Sequence, residues 1–258
     1  MTQHTPQRLK DRSAGHGRLL STLGWRALGP WSVVLALSGC GSSPAVPDWQ
    51  LDAHGALEQA TQATLRGEQR EADAAFARAR KSISSSGRID LLARAELTRC
   101  AAWLASLQPP PSGAGVAAQL GSCPGFEPLR EDAGEAERAY ADFLAGRLSP
   151  ARAASLPPSQ QAAWRVRSDT QQREAAIRAI EDPLSRLVAT AAALRDAMLP
   201  PGLAEMAVQT ASTQGWRRPL LAWLGVQRAR AEAAGDTDTA AALARRMAWV
   251  ADNKPSGP

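Results

Sequence analysis

A single tyrosine and three phenylalanines stand among 258 residues. Valine, isoleucine and threonine are also scarce, while alanine is abundant. Sheets are built from aromatic and β-branched side chains on a pleated surface, so this composition argues against a sheet protein. No alternating apolar–polar run of strand length occurs. Chemistry is equally thin. The chain lacks HExxH, CxxC, a phosphate-cradling glycine loop and Gly-x-Ser-x-Gly. Long hydrophobic runs are missing too. The most apolar stretch, Ala27 to Gly39, falls short of the roughly 20 residues that a spanning helix needs.

That stretch is informative for another reason. Arg8, Lys10, Arg12, Arg18 and Arg26 precede it, Pro30 lies near its start, and small residues close it. A basic flank, a short apolar core and a small-residue exit describe a secretory signal. Its last residues, Leu37-Ser38-Gly39-Cys40, resemble the lipobox of bacterial lipoproteins. The resemblance implies a diacylglyceryl thioether on Cys40 and cleavage before it. Two or three acyl chains give stable anchoring where one does not. Gly41 stands where aspartate commonly retains such proteins in the inner membrane, so the resemblance implies the outer membrane, facing the periplasm, in a Gram-negative cell. An ordinary cleaved signal or an uncleaved anchor would instead leave Cys40 unmodified, which intact mass distinguishes.

Removing residues 1–39 changes the charge. Five of the 30 basic side chains and one of the 25 acidic ones, Asp11, leave with the leader. The formal net charge falls from +5 to +1, since 25 bases then face 24 acids. No global basic field remains to hold a nucleic acid. His4 and His16 leave as well, and only His54 stays. With Cys40 lipidated, Cys100 and Cys123 remain as a pair. Export places them where disulfides persist, so a Cys100–Cys123 bridge is expected, with two separate buried thiols as the alternative. The chain divides into a signal peptide (1–39), a lipidated cysteine and tether (40–48), one all-α domain (49–252) and a disordered tail (253–258).

Within that domain the periodicity is helical. Helices are predicted over Leu51 to Leu65, Gln69 to Ile83, Arg88 to Leu107, Glu131 to Leu144, Ser159 to Ile180, Leu184 to Met198, Leu203 to Thr213, Pro219 to about Gly235, and Ala240 to Val250. The long connection after Leu107 opens on three consecutive prolines and holds several glycines, which forbid a regular helix. The segment "ALEQATQATLRGEQREADAAFARA" resembles a tetratricopeptide repeat. Ala60 and Ala72 are twelve apart, Gly67 turns between them, and Phe76 and Ala79 follow. Ala63 replaces the large aromatic of the motif, and Ser84 replaces its closing proline. The last pair of helices, around Gly235-Asp236, has the same turn chemistry. The expected fold is an irregular array of eight or nine helices in antiparallel hairpins, like a tetratricopeptide α-solenoid.

Candidate sites are few. His54 and Glu58 are four apart and would share a helix face, which suits a metal pair, a general base or an ordinary surface pair. No catalytic residue, metal or cofactor is expected, and no small-molecule substrate is evident. Trp216-Arg217-Arg218 is the candidate partner surface, because binding hot spots favour Trp and Arg. The alternative places Trp216 and Trp223 in the core with the arginines solvated beside them. Trp49 is expected to staple the first helix. The functional expectation is a lipid-anchored helical adaptor for an envelope protein. A peptidoglycan-acting enzyme or activator, and a purely structural lipoprotein, are the rivals.

Overall fold

The computed structural model describes residues 46–110 and 119–252. These form ten α-helices and two short 3₁₀ helices, with no strand among the described residues. In chain order they are α1 (Asp48–Arg66), α2 (Gln69–Ser84), α3 (Ile89–Ala105), α4 (Glu135–Leu144), α5 (Pro158–Arg165), α6 (Thr170–Arg178), α7 (Pro183–Arg195), α8 (Pro201–Thr213), α9 (Arg217–Ala233) and α10 (Thr237–Asp252). The 3₁₀ turns cover Glu127–Leu129 and Pro150–Ser155. The fold is an all-α array of packed helices, as expected, with slightly more helices.

Local chemistry explains most of the helix ends. Gly67 closes α1 at φ 84°, a left-handed conformation that costs glycine nothing. Asp182 accepts the backbone N–H of Ser185 at 2.6 Å and Pro183 occupies the first turn of α7. Asp236 accepts the Thr239 N–H at 3.0 Å and so opens α10.

Several boundaries depart from expectation, and three of these departures have a clear local cause. The long helix over Ser159–Ile180 is two helices. Val166 leaves helical geometry after α5, and Asp169 accepts the Gln172 N–H at 2.9 Å to start α6. A second N-cap inside a polar stretch competes with helix continuation and wins. The fourth helix begins at Glu135 rather than Glu131, because Gly134 is extended. The third ends at Ala105. Leu107 then turns left-handed at φ 53°, and the Gln108 N–H reaches the Trp103 carbonyl at 3.1 Å.

Packing relies on small side chains. The α1–α2 hairpin meets through Ala53, Ala60, Ala75 and Phe76, so the two backbones approach closely. Helix α3 runs through the centre and packs against α1, α2, α4 and α7. It buries two sides: Ala95 and Ala102 lie on one, Cys100 and Trp103 on the other, as expected for a helix packed between neighbours. The array also folds back on itself, since α9 reaches α1. Repeats in an open solenoid touch only their neighbours. Here the first and last hairpins are joined.

Candidate partner-binding surface

Leu37, Ser38, Gly39 and Cys40, the residues that resemble a lipobox, lie outside the described residues, as does the tail at 253–258. Cys100 and Cys123 are bonded, with their Cα atoms 5.6 Å apart. The bridge returns the connection after α3 onto that helix. Below it lies Glu96, only 2% exposed, paired with Arg80 of α2. A Cβ on Gly125 would crowd the Glu96 carboxylate and force that side chain to shift. Glu137 of α4 is buried in the same manner and accepts from Arg94 Nε at 2.6 Å. These carboxylates each hold two helices together, a structural use of a buried charge.

His54 and Glu58 both lie exposed on α1. Among the described residues, no three His, Cys, Asp or Glu side chains gather for a metal.

Trp216, Arg217 and Arg218 do come together, but not as an open surface. Trp216 is 3% exposed and its indole donates to Gln62 Oε1 at 2.8 Å. Arg218 lies over the Trp103 ring, 4.2 Å from its centre, and donates to Gln69 Oε1 at 3.0 Å. Burial lowers the Arg218 pKa, Arg217 adds to that, and Asp73 opposes it. Arg217 sits close to Gly67, where a Cβ would meet its guanidinium at 3.2 Å. Trp223, one to two turns on, is wholly buried and donates to the Ala105 carbonyl at 3.1 Å. The cluster is therefore the joint between the α1–α2 turn and the start of α9. The core reading of Trp216 and Trp223 therefore holds, and the candidate surface at Trp216 does not, with Arg218 stacked rather than solvated. A large aromatic at a helix start is worth more inside, provided its N–H finds an acceptor, as Gln62 supplies.

The exposed aromatic is elsewhere. Trp249 on α10 is 75% exposed, the highest value among large apolar side chains of the described residues. Helix α10 packs chiefly on α9, through Leu243, Met247 and Val250, which recur at four- and three-residue steps. Trp249 falls off that stripe. Arg245 and Arg246 precede it by four and three residues and share its outward face, both exposed. Neither makes an ion pair among the described residues. Ala241, Ala242 and Ala248 complete a low, apolar relief around them. A helical wheel over Ala240–Val250 would have found this face.

An apolar groove is also preformed. Leu97, Ala136, Tyr140, Leu156 and Pro157 line an apolar groove of about 460 Å³ between α3, α4 and the Pro150–Ser155 turn, with the Arg94–Glu137 pair at its rim. Burial pushes the Tyr140 hydroxyl pKa up, so it stays protonated. No helix among the described residues is long and apolar enough to cross a membrane. No family model, curated protein or solved structure matches this chain.

Proposed function

We propose that this chain is a lipid-anchored helical adaptor of the bacterial envelope, tethered through Cys40 and presenting α10 to a protein partner. The observation that carries the binding half is Trp249 standing free on α10 beside Arg245 and Arg246. Exposed Trp with Arg is the composition of binding hot spots. The fitting partner is an amphipathic segment with acidic residues flanking an apolar anchor. A second copy fits poorly. An antiparallel α10 pair would set Arg245 and Arg246 against their own copies, and like charges oppose such pairing. The anchoring half rests on Leu37-Ser38-Gly39-Cys40.

Crosslinking and capture from membranes tests the binding half. The wild-type chain is expected to recover an envelope protein, and Trp249→Ala to lose most of it, with Trp216→Phe as a control that retains it. Equal recovery by wild type and Trp249→Ala would overturn the proposal. So would clear lysis of cell wall by the purified chain on a zymogram, which would favour the enzyme.

A further inference from the structure

Five large apolar side chains stand exposed among the described residues: Val46, Leu51, Ile89, Met198 and Trp249. Three of these share one end of the fold. Helices α1, α2 and α3 succeed each other antiparallel, and Ala53, Ile83, Leu91 and Leu92 pack in one cluster. The start of α1, the end of α2 and the start of α3 therefore lie together. Val46 at 51%, Leu51 at 58% and Ile89 at 41% exposure all belong to that end. Beside them is an open groove of about 740 Å³ whose lining includes Trp49, Leu51, Ala56, Lys81 and Ser85. We propose that this end of the N-terminal helices is a membrane-contact surface, which rests its apolar side chains in the interfacial layer of the bilayer that anchors Cys40.

The inference rests on the anchor reading above and adds an orientation to it. Cys40 precedes Val46 by six residues. Six residues span at most about 20 Å when fully extended. The start of α1 is thus held within that distance of the lipid glycerol, while the Gly67 end lies roughly 25 Å further along α1. The side chains suit the layer. Tryptophan favours the bilayer interface, since its ring is apolar and its N–H is polar. Lysine extends an apolar stem and keeps its ammonium in water, as Lys81 would. Charge supplies no preference here. Arg78, Lys81 and Arg88 are matched by Asp48, Asp52 and Asp90, with Arg88 and Asp90 already paired at 2.7 Å. Contact is driven by apolar burial, so zwitterionic and anionic lipid serve alike.

The same geometry points α10 away from the membrane. Trp216 and Arg218, at the start of α9, touch Gln62 near the far end of α1 and Gln69 at the start of α2. The tight turn before Asp236 returns α10 antiparallel along α9, which brings Trp249 back beside that start. Trp49 and Trp249 therefore mark opposite ends.

The test uses the mature lipoprotein, extracted from membranes and reconstituted into phosphatidylcholine vesicles carrying brominated acyl chains. Bromine quenches indole fluorescence only at close range. Quenching is expected in the wild type, to be more than halved by Trp49→Phe and unchanged by Trp249→Phe. Leu51→Glu should weaken it as well, which guards against a folding defect peculiar to position 49. Dependence on Trp249 instead of Trp49, or no quenching at all, would overturn the orientation while leaving the anchor intact. Intact mass of the same preparation separates the two ideas: an unmodified Cys40 would remove the anchor and the contact surface together.

Discussion

Two clusters of tryptophan and arginine lie some thirty residues apart in the chain and have opposite surroundings. Around Trp216 the indole is enclosed, its N–H is satisfied by Gln62, and Arg218 is stacked on Trp103. Around Trp249 the indole is three-quarters exposed and the two arginines find no acid. Composition does not separate them. What separates them is the neighbour each helix acquires. The start of α9 meets the turn of the first hairpin, whereas α10 is the last described helix and covers α9 with one face only. Hot-spot chemistry read from residue type thus needs the packing partner before it means binding.

The sharpest way to break this contrast is to truncate both kinds of tryptophan. Trp223→Ala and Trp216→Ala should each cost about 3–5 kcal/mol of stability in urea unfolding, because each leaves a large cavity at the joint. Trp216→Phe should cost less, about 1–2 kcal/mol, chiefly through an orphaned Gln62 and lost area. A joint that tolerated Trp216→Ala would mean that α9 does not depend on the first hairpin.

Next comes the bridge on the other side of Trp103. Cys100 lies one turn before Trp103 on α3, and the bridge to Cys123 closes a 23-residue separation. Replacing both cysteines by alanine should lower stability by about 3 kcal/mol in the chain-entropy account, read as a lower midpoint of thermal unfolding. Two titratable thiols in the denatured, unreduced wild type would instead show that no bridge forms.

Trp249→Ala should change stability by less than about 0.5 kcal/mol, as surface substitutions usually do. The same variant should lose partner recovery. Stability loss as large as that of Trp216→Ala would place Trp249 inside an interface, and the contrast between the two clusters would collapse.

The smallest expected effect lies at the start of α3. The hydrogen-bonded Arg88 guanidinium holds the exposed Asp90 carboxyl at about pKa 2. A folded pKa below the unfolded one means that the pair helps above the ordinary aspartate range, and that this help fades as pH falls toward 2. Solvent screens so exposed a pair, so its effect on stability is small. NMR titration of Asp90 should show the low midpoint, and Arg88→Gln should return it toward the usual carboxylate value.

Much of the fold was legible because it is local. Gly67, Asp182-Pro183 and Gly235-Asp236 each carry their own turn or cap, and the helices between them fall where periodicity places them. The split at Val166–Asp169 was missed because "RVRSDT" carries only one strong stop signal, Asp169, and its role as a cap depends on a backbone that has already left the helix. The sites were less legible. Glu96 reads as one acid among many, and nothing local says that Gly125 closes over it. Trp249 was legible in principle, since Leu243, Met247 and Val250 define a stripe that excludes it.

What this sequence determined by itself is the helical class and most of the turns, because propensity and capping act within a few residues. Only the tertiary structure decided which tryptophans are buried and which end of α1 carries the exposed apolar residues. Those outcomes depend on α9 meeting α1 across about 150 residues of chain, a pairing made by shape and hydrogen bonding between surfaces. Residue type and spacing along one helix do not encode it.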